Sequence, residues 1–478
     1  MNNGTVNVAR ACVLAVLLCA GLLMPLPLRA QASQGSGQPP LSAVAIPQAG
    51  TLADLDTTVF NHPPGRFWLS GQINIISQAN PAFPAAYSGP NSFGPEAQEA
   101  TSRVLTLYTG MELKGGFQVI ADVESAGGHG LSGGAGLGGF TDLDIVRTPN
   151  LGQAPYLARF LVEKTISLGG GSVKDDRDYL SLDSSLPARR IELWLGKFSM
   201  VDFFDVNPVG SDSHLQFMNW AVDNNAAYDY AANTRGYSWG AVAELYDGDW
   251  AFRVGEAMMP KVANGENLDA DLARAHSENF ELEYHPPLFP HRESAIRLLS
   301  YVNHADMGNY REAIDGFLSG LNKVPDITLY RQQGRVKYGF GVNLYQDLGD
   351  GVRLFGRWGW NDGRNESFAY TEVDRTGSFG GDVAGSHWHR NFDKLGAAFV
   401  LDGISGDHRR YLALGGKGFM LGDGGLSYGL EKIFESYYTF HIWRGVFGSV
   451  DLQHITNPGY NRVRGPVWVP SLRLHVDL

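Results

Sequence analysis

The feature that most restricts this chain is a strict period of two, clearest at its end. From Ser471 to Leu478, Leu472, Leu474, Val476 and Leu478 alternate with Arg473, His475 and Asp477. Successive strand side chains point to opposite faces, so one face is apolar and the other charged. A soluble sandwich turns such an apolar face into its core. A membrane barrel turns it out to lipid and keeps the charged face in a wet lumen. An open edge in lipid would leave N–H and C=O groups unpaired at several kcal/mol each, so a last strand of this kind must pair back to the first.

The same rule runs through the chain from Phe67. Phe67, Leu69, Ile73 and Ile75 oppose Ser70, Gln72 and Asn74, and Leu105, Leu107, Met111 and Leu113 oppose Thr106, Tyr108 and Glu112. After Gly115-Gly116, a hairpin signal, Phe117, Val119 and Val123 oppose Gln118, Asp122 and Glu124. Phe160 and Val162 alternate with Arg159 and Glu163, and Ile191, Leu193 and Leu195 with Arg190, Glu192 and Trp194. Further stripes are Tyr237 to Leu245, then Trp250, Phe252 and Val254, then Phe280, Leu282 and Tyr284 against Glu281 and Glu283. Ile296 and Leu298 face away from Arg297 and Tyr301; Tyr338 to Leu344, Val352 to Trp358 and Leu395 to Leu401 follow. Arg410 to Gly416, Lys432 to Ile442, Val446 to Ile455 and the final strand complete the set.

The segments number about sixteen, each near the ~10 residues of an outer-membrane strand. Beyond the N-terminus no apolar run approaches the ~20 residues of a spanning helix. Residues 67–478 are therefore expected to form an all-β, transmembrane antiparallel β-barrel. Glycine, at 60 of 478 residues, is abundant alongside aromatics, as turns and interfacial girdles require. Long insertions at 78–102, 125–155, 199–233, 303–335 and 361–392 are the expected functional loops. One of them predicts a helix, with Tyr310, Ala313, Ile314, Phe317, Leu318 and Leu321 on one face and Asn309 and Glu312 as a capping-box pair.

Residues 1–32 read as an export signal: Arg10 precedes an apolar run from Ala11 to Leu28, and Ala30-Gln31-Ala32 is a small-x-small cleavage site. The mature chain is expected to begin at Ser33, followed by an extended Gly/Pro/Ser-rich lead-in over 33–66. Both cysteines, Cys12 and Cys19, fall in the signal, which leaves no thiol, disulfide or cysteine metal site. The net charge of -12 argues against nucleic acid as a partner.

Motifs that elsewhere mark enzymes have plainer readings in this setting. Gly236-Tyr237-Ser238-Trp239-Gly240 fits a nucleophile elbow, but the alternation runs straight through it to Leu245, so Ser238 sits on a strand. Gly134, Gly136 and Gly139 lack the βαβ unit of a dinucleotide site and read as a mobile loop. His387-Trp388-His389 could offer two imidazoles from an extended segment, although no third ligand lies nearby in sequence and a polar loop contact is the simpler reading. Paired carboxylates on a barrel wall line the lumen rather than cleave glycosides. No cofactor or catalytic residue is expected.

The stretch from Gly196 to Tyr230 is too apolar to hang in water, with Phe198, Phe203, Phe204, Phe217 and Trp220 among Asp202, Asp205, Asn207 and Asp212. It is expected to fold inward as a constriction loop, burying its aromatics against the wall. Packing over the outer rim is the alternative.

Several stretches, in order along most of the chain, resemble one known family. They are Tyr87-Ser88-Gly89-Pro90-Asn91-Ser92, Gly196-Lys197-Phe198 with Asp202 and Asp205, Trp360-Asn361-Asp362-Gly363, Leu421-Gly422-Asp423-Gly424, and Asn457-Pro458-Gly459-Tyr460-Asn461-Arg462 through Arg464-Gly465-Pro466. The chain resembles the bacterial carbohydrate-selective porins of the outer-membrane porin B type. That resemblance implies a sixteen-stranded outer-membrane channel, in contact with outer-membrane lipid, passing neutral carbohydrates by facilitated diffusion. It leaves open whether copies assemble into a homo-oligomer. The chain departs from the family pattern at Leu478, where such barrels usually end in an aromatic, and in its long lead-in.

A pyranose has apolar C–H faces and a ring of hydroxyls, so a sugar channel needs aromatic surfaces and charged donors and acceptors. The lumen-facing candidates are Glu112, Asp122, Glu124, Arg159, Glu163, Arg190, Glu192 and Trp194 on the early strands. The inward loop adds Asp202, Asp205 and Trp220, and Arg353 and Arg357 are expected on the opposite wall. A general diffusion pore and a secreted all-β sugar-binding protein are the competing readings; fractionation separates the second from a membrane barrel.

Overall fold

In a computed structural model of the protein, residues 57–62, 65–145, 151–175, 177–182 and 185–478 are described. The export signal with its two cysteines, the start at Ser33 and the lead-in up to residue 56 lie outside the described residues. The strands are β1 (Phe67–Asn80), β2 (Gln98–Leu113), β3 (Phe117–Gly128), β4 (Tyr156–Lys174), β5 (Ser185–Phe198), β6 (Ser238–Asp247), β7 (Trp250–Met258) and β8 (His276–Tyr284). They continue with β9 (Ser294–Met307), β10 (Gln332–Gly349), β11 (Val352–Asn361), β12 (Arg375–Ala384), β13 (Lys394–Gly403), β14 (Glu431–Trp443), β15 (Val446–Thr456) and β16 (Val467–Asp477). Every strand pairs antiparallel with its sequence neighbours, and β16 closes on β1.

Burial is inverted relative to a soluble sheet. Leu69 and Leu472, on the apolar stripe, are 66% and 62% exposed, whereas Asn74 and Arg473, at alternate positions of the same strands, are 0% and 3% exposed. The seam keeps this phase, pairing Ile73 with Val476 and Ile75 with Leu474 on the outer face. Closure satisfies both edge ladders, which is what lipid demands of a sheet. Aromatic pairs such as Trp250–Tyr284, with centroids 4.3 Å apart, stand on the outer wall.

Connections differ between the two ends. One end carries tight turns at 114–116, 248–249, 350–351 and 444–445; the other carries long segments at 81–97, 129–155, 199–237, 308–331 and 404–430. The motif stretches interlock at the long end. Arg464 reaches the Tyr87 carbonyl and Ser88 Oγ, Ser92 Oγ meets the Asp423 carboxylate, and the Asn461 amide donates to Asp423 at 3.0 Å.

Two elements differ from the periodic reading. Arg410–Gly416 is not a strand: a helix covers Gly406–Ala413, capped by Ser405 Oγ accepting from His408 N. In so short a window Tyr411, Leu412 and Leu414 fit either period, and burial of His408, Tyr411 and Leu412 selects the helical one. Conversely β12 lies inside the expected 361–392 loop. Its outer face carries glycine at 377 and 381, with Phe379, stacked on Phe399 at 5.5 Å, and Val383 supplying the apolar surface.

We number the helices α1 (Trp220–Asp223), α2 (Tyr310–Leu318) and α3 (Gly406–Ala413). Asn309 caps α2 by accepting from Arg311 N and Glu312 N, while Glu312 pairs with Arg335 at 3.0 Å. Tyr310, Ala313 and Ile314 are buried, but Leu318 and Leu321 are exposed. Ser238 opens β6 and its hydroxyl donates to the Met258 carbonyl, as a strand residue. Tyr237, read as part of the outer stripe, precedes that strand and is buried inside. His387 lies in a tight turn, not an extended segment, with Nε2 2.6 Å from the Asp350 carbonyl.

The glycine-rich stretch after β3 is packed rather than mobile. Gly138 N and Gly139 N donate to Glu431 at 2.9 and 2.8 Å, and Leu137 and Phe140 are fully buried. Segment 199–237 crosses the lumen. Its backbone is held by Glu281 on β8, Asn343 on β10, Arg357 on β11, Glu435 on β14 and Arg473 on β16.

Candidate functional site

Two cavities lie along the β2–β9 side of the lumen. The larger, about 250 Å³, is bordered toward the long-loop end by Glu124 and Tyr156 on β3 and β4 and by Asn233, Arg235 and Tyr237 of the segment before β6. The smaller, about 110 Å³, is bordered by Gln118, Leu186, Arg190, Tyr246 and Glu283 toward the short turns. Tyr179 and Asp202 belong to both linings.

Arg159 stands at this junction. Its Nε and Nη2 donate to the two Asp202 oxygens at 2.8 and 2.7 Å, and its Nη1 lies 3.4 Å from Asp122. The doubled pair is the planar geometry in which guanidinium and carboxylate bind best. A β-bulge against Asp122 and Val123 shifts the register of β4 just before Arg159. Asp202 is fixed in turn by a capping box with Ser199. The guanidinium carbon sits 4.8 Å from the Tyr179 ring and 5.5 Å from the Tyr237 ring.

Tyr179 comes from the opposite mouth, on the β4–β5 connection, which turns up into the barrel. Leu182 N donates to Gln118 at 2.9 Å, and Asp178 accepts from Leu180 N and Ser181 N at 2.7 Å each. Burial pushes the Asp178 carboxyl up to about 7 against the pull of those N–H groups. Tyr179 stacks on Tyr108 at 5.2 Å. The passage is thus narrowed from both ends at one level.

The larger cavity combines aromatic rings with acceptors. Glu124 takes the hydroxyls of Tyr156 and Tyr237. Trp220 donates its indole N–H to the Asp142 carbonyl at 2.7 Å and stacks on Tyr370 at 5.5 Å, which itself packs on Tyr230 at 4.6 Å. Burial raises Asp142 to about 7 and raises Asp223 well above the usual carboxylate range.

A ladder of charges lines the smaller cavity. Arg190 pairs with Glu192 at 2.5 Å, Trp194 Nε1 donates to Glu244 at 3.0 Å, and Arg253 bridges Glu244, Glu281 and Glu283. Arg297 completes it on Glu283 at 2.8 Å. Each arginine of the ladder is thus paired with at least one carboxylate.

The expected lining residues divide accordingly. Glu124, Arg159, Asp202 and Trp220 border the larger cavity, and Glu163, Arg190, Glu192, Trp194 and Asp202 the smaller. Glu112, Asp122, Asp205, Arg353 and Arg357 border neither. Glu112 faces Arg177 at 3.6 Å, Asp122 backs Arg159, and Arg353 pairs with Asp382 on the next strand. Asp205 and Arg357 pair at 3.1 Å and pin the inward loop to the wall. Residues not anticipated include Arg253 and Glu244, whose inward phase the alternation already contained. Tyr179, Tyr230 and Tyr370 come from connections, where no period exists to place them.

The family model described as carbohydrate-selective porin, OprB family, matches residues 103–478. Among solved structures the chain is similar to the high-pH structure of Pseudomonas putida OprB, with a TM-score of 0.65, 15% identity, and coverage of 86% of this chain and 94% of that one. It is also similar to the outer membrane channel DcaP of Acinetobacter baumannii, with a TM-score of 0.48, 8% identity, and coverage of 86% and 97%. No curated protein sequence matches.

Proposed function

Because this chain belongs to the carbohydrate-selective porin family OprB and forms a closed outer-membrane barrel, a channel and not an enzyme, we propose that its lumen carries neutral sugars by facilitated diffusion. The observation that supports this most is the junction of the two cavities. There, Tyr179, itself stacked on Tyr108, and Tyr237 flank an Arg159 already paired with Asp202 and Asp122. Aromatic rings suit the apolar faces of a pyranose. Paired charges offer donors and acceptors to its hydroxyls without selecting an ion of one sign. Each contact is individually weak, as transport requires, since a solute held tightly would not leave.

Single-channel recordings in planar bilayers test the reading. Glucose and maltose are expected to block ion current at concentrations where a neutral non-sugar of similar size does not, and Trp194→Ala and Trp220→Ala to weaken that block. Equal effects of sugar and control would make this a general diffusion pore.

A further inference from the structure

Asp212 and Asp223 border the larger cavity and are 6% and 5% exposed. Among the described residues, each carboxyl group spends only one oxygen on the protein. Asp212 Oδ1 accepts from His214 N and Leu215 N at 3.0 and 3.1 Å, and Asp223 Oδ2 accepts from the Asn224 amide at 2.7 Å. Asp212 Oδ2 and Asp223 Oδ1 are buried and have no donor among the described residues. A desolvated acceptor left in that state is destabilising, so the site calls for a donor from a bound molecule.

Both residues are held in place from the wall. The Arg357 guanidinium, reaching in from β11, donates to the Val222 carbonyl at 2.6 Å, to Ser211 Oγ at 2.7 Å and to the Asp205 carbonyl at 3.1 Å. It thereby ties the chain just before Asp212 to the chain just before Asp223. Gly210 makes room for it: a Cβ there would sit 2.6 Å from Arg357 Nη1 and 3.1 Å from the Val222 carbonyl. Trp220, Tyr370 and Tyr230 form a packed aromatic ledge on the border of the same cavity.

We propose that Asp212 and Asp223 form a hydroxyl-accepting subsite for a neutral pyranose, which sets an apolar face toward the Trp220–Tyr370–Tyr230 ledge and donates one hydroxyl to the free oxygen of each carboxyl group. The assignment rests on the sugar-channel reading and specifies where in the passage the sugar pauses. A hydroxyl supplies the missing proton and brings no charge that would hold it there. A cation is the poorer fit, because among the described residues no three His, Cys, Asp or Glu side chains converge as metal ligands.

The test uses the full-length native channel and glucose block of its ion current, compared with block by the 2-, 3-, 4- and 6-deoxy analogues. At least one analogue is expected to block up to about tenfold more weakly, as loss of a hydrogen bond to a buried carboxyl group implies. Asp212→Asn and Asp223→Asn should each weaken glucose block to a similar degree and, at the matching position, erase the difference between glucose and its deoxy analogue. If glucose blocks the native channel but all four analogues block equally well, the subsite is wrong while the sugar channel stands. If both Asn variants discriminate the analogues as the native protein does, it is equally overturned. If glucose does not block at all, the sugar-channel reading itself falls, and the subsite with it.

Discussion

Replacing Arg357 by alanine should free the inward loop without opening the barrel. The side chain is 0% exposed, and its partner Asp205 is 1% exposed. Removing one member of a buried ion pair leaves the other charge uncompensated, at a cost of about 3–5 kcal/mol. The same substitution withdraws the donors to Val222 O, Ser211 Oγ and Asp205 O. These losses fall on one network and do not simply add. The loop keeps its bonds to Glu281, Glu435 and Arg473, and no ladder hydrogen bond of the wall involves the Arg357 side chain. The expected result is therefore local. The heat-modifiable barrel survives in detergent gels, single-channel current rises and becomes noisy, and glucose block weakens by an order of magnitude or more. Arg357→Lys restores charge but not the planar fork that reaches three acceptors, and should be intermediate. Arg353→Ala is the matched control, since among the described residues Arg353 hydrogen-bonds to Asp382 on the adjacent strand and not to the inward loop. If Arg357→Ala and Arg353→Ala give the same conductance, noise and block, the guanidinium does not hold the loop.

Two further outcomes follow from other positions. Asp178 has a folded-state pKa raised to about 7 by burial, so the folded protein binds a proton that the unfolded chain has already released. Its contribution to stability therefore falls as pH rises from about 4 to about 7 and is level above that. Melting of the barrel followed at pH 5 and pH 8 should show a pH-dependent component that Asp178→Asn removes; an unchanged difference would contradict the assignment. Gly136 has φ of 90°, and a Cβ there would lie 1.7 Å from Phe93 N. Gly136→Ala should thus loosen the packed stretch that Glu431 holds, read as new proteolytic cleavage between Leu131 and Phe140 in the assembled channel.

The wall was legible because lipid and lumen impose opposite demands on alternate residues, and nothing else in the chain is so constrained. Leu472 against Arg473 announces its phase in two positions. Where the wall uses glycine, as at Gly377 and Gly381 of β12, the signal vanishes although the strand does not. Arg410–Gly416 shows the converse error, a helical turn whose spacing passes for alternation. The inward course of 199–237 could be read from its apolar content, but not the role of Arg357, whose inward phase is the same whether it lines a pore or seats a loop. Tyr179 could not be found at all. Its place depends on a connection from the far mouth folding back, and that is decided by Gln118 and the backbone of residues 178–182 rather than by any pattern.

The seat of the crossing loop has a bearing on assembly. Arg473 lies on the last strand, and its guanidinium donates to the Ser213 and Gln216 carbonyls of a loop that earlier strands already hold through Glu281 and Asn343. Those carbonyls can be met only when β16 arrives beside β1 with His475 opposite Asn74. A seam slipped by two residues would keep its apolar face in lipid and all but its end hydrogen bonds, so the membrane alone would barely reject it. It would carry Arg473 out of reach of both carbonyls and leave its desolvated guanidinium with the Ser449 and Thr439 hydroxyls alone. The loop that narrows the pore is thus also the gauge against which closure of the cylinder is proofread.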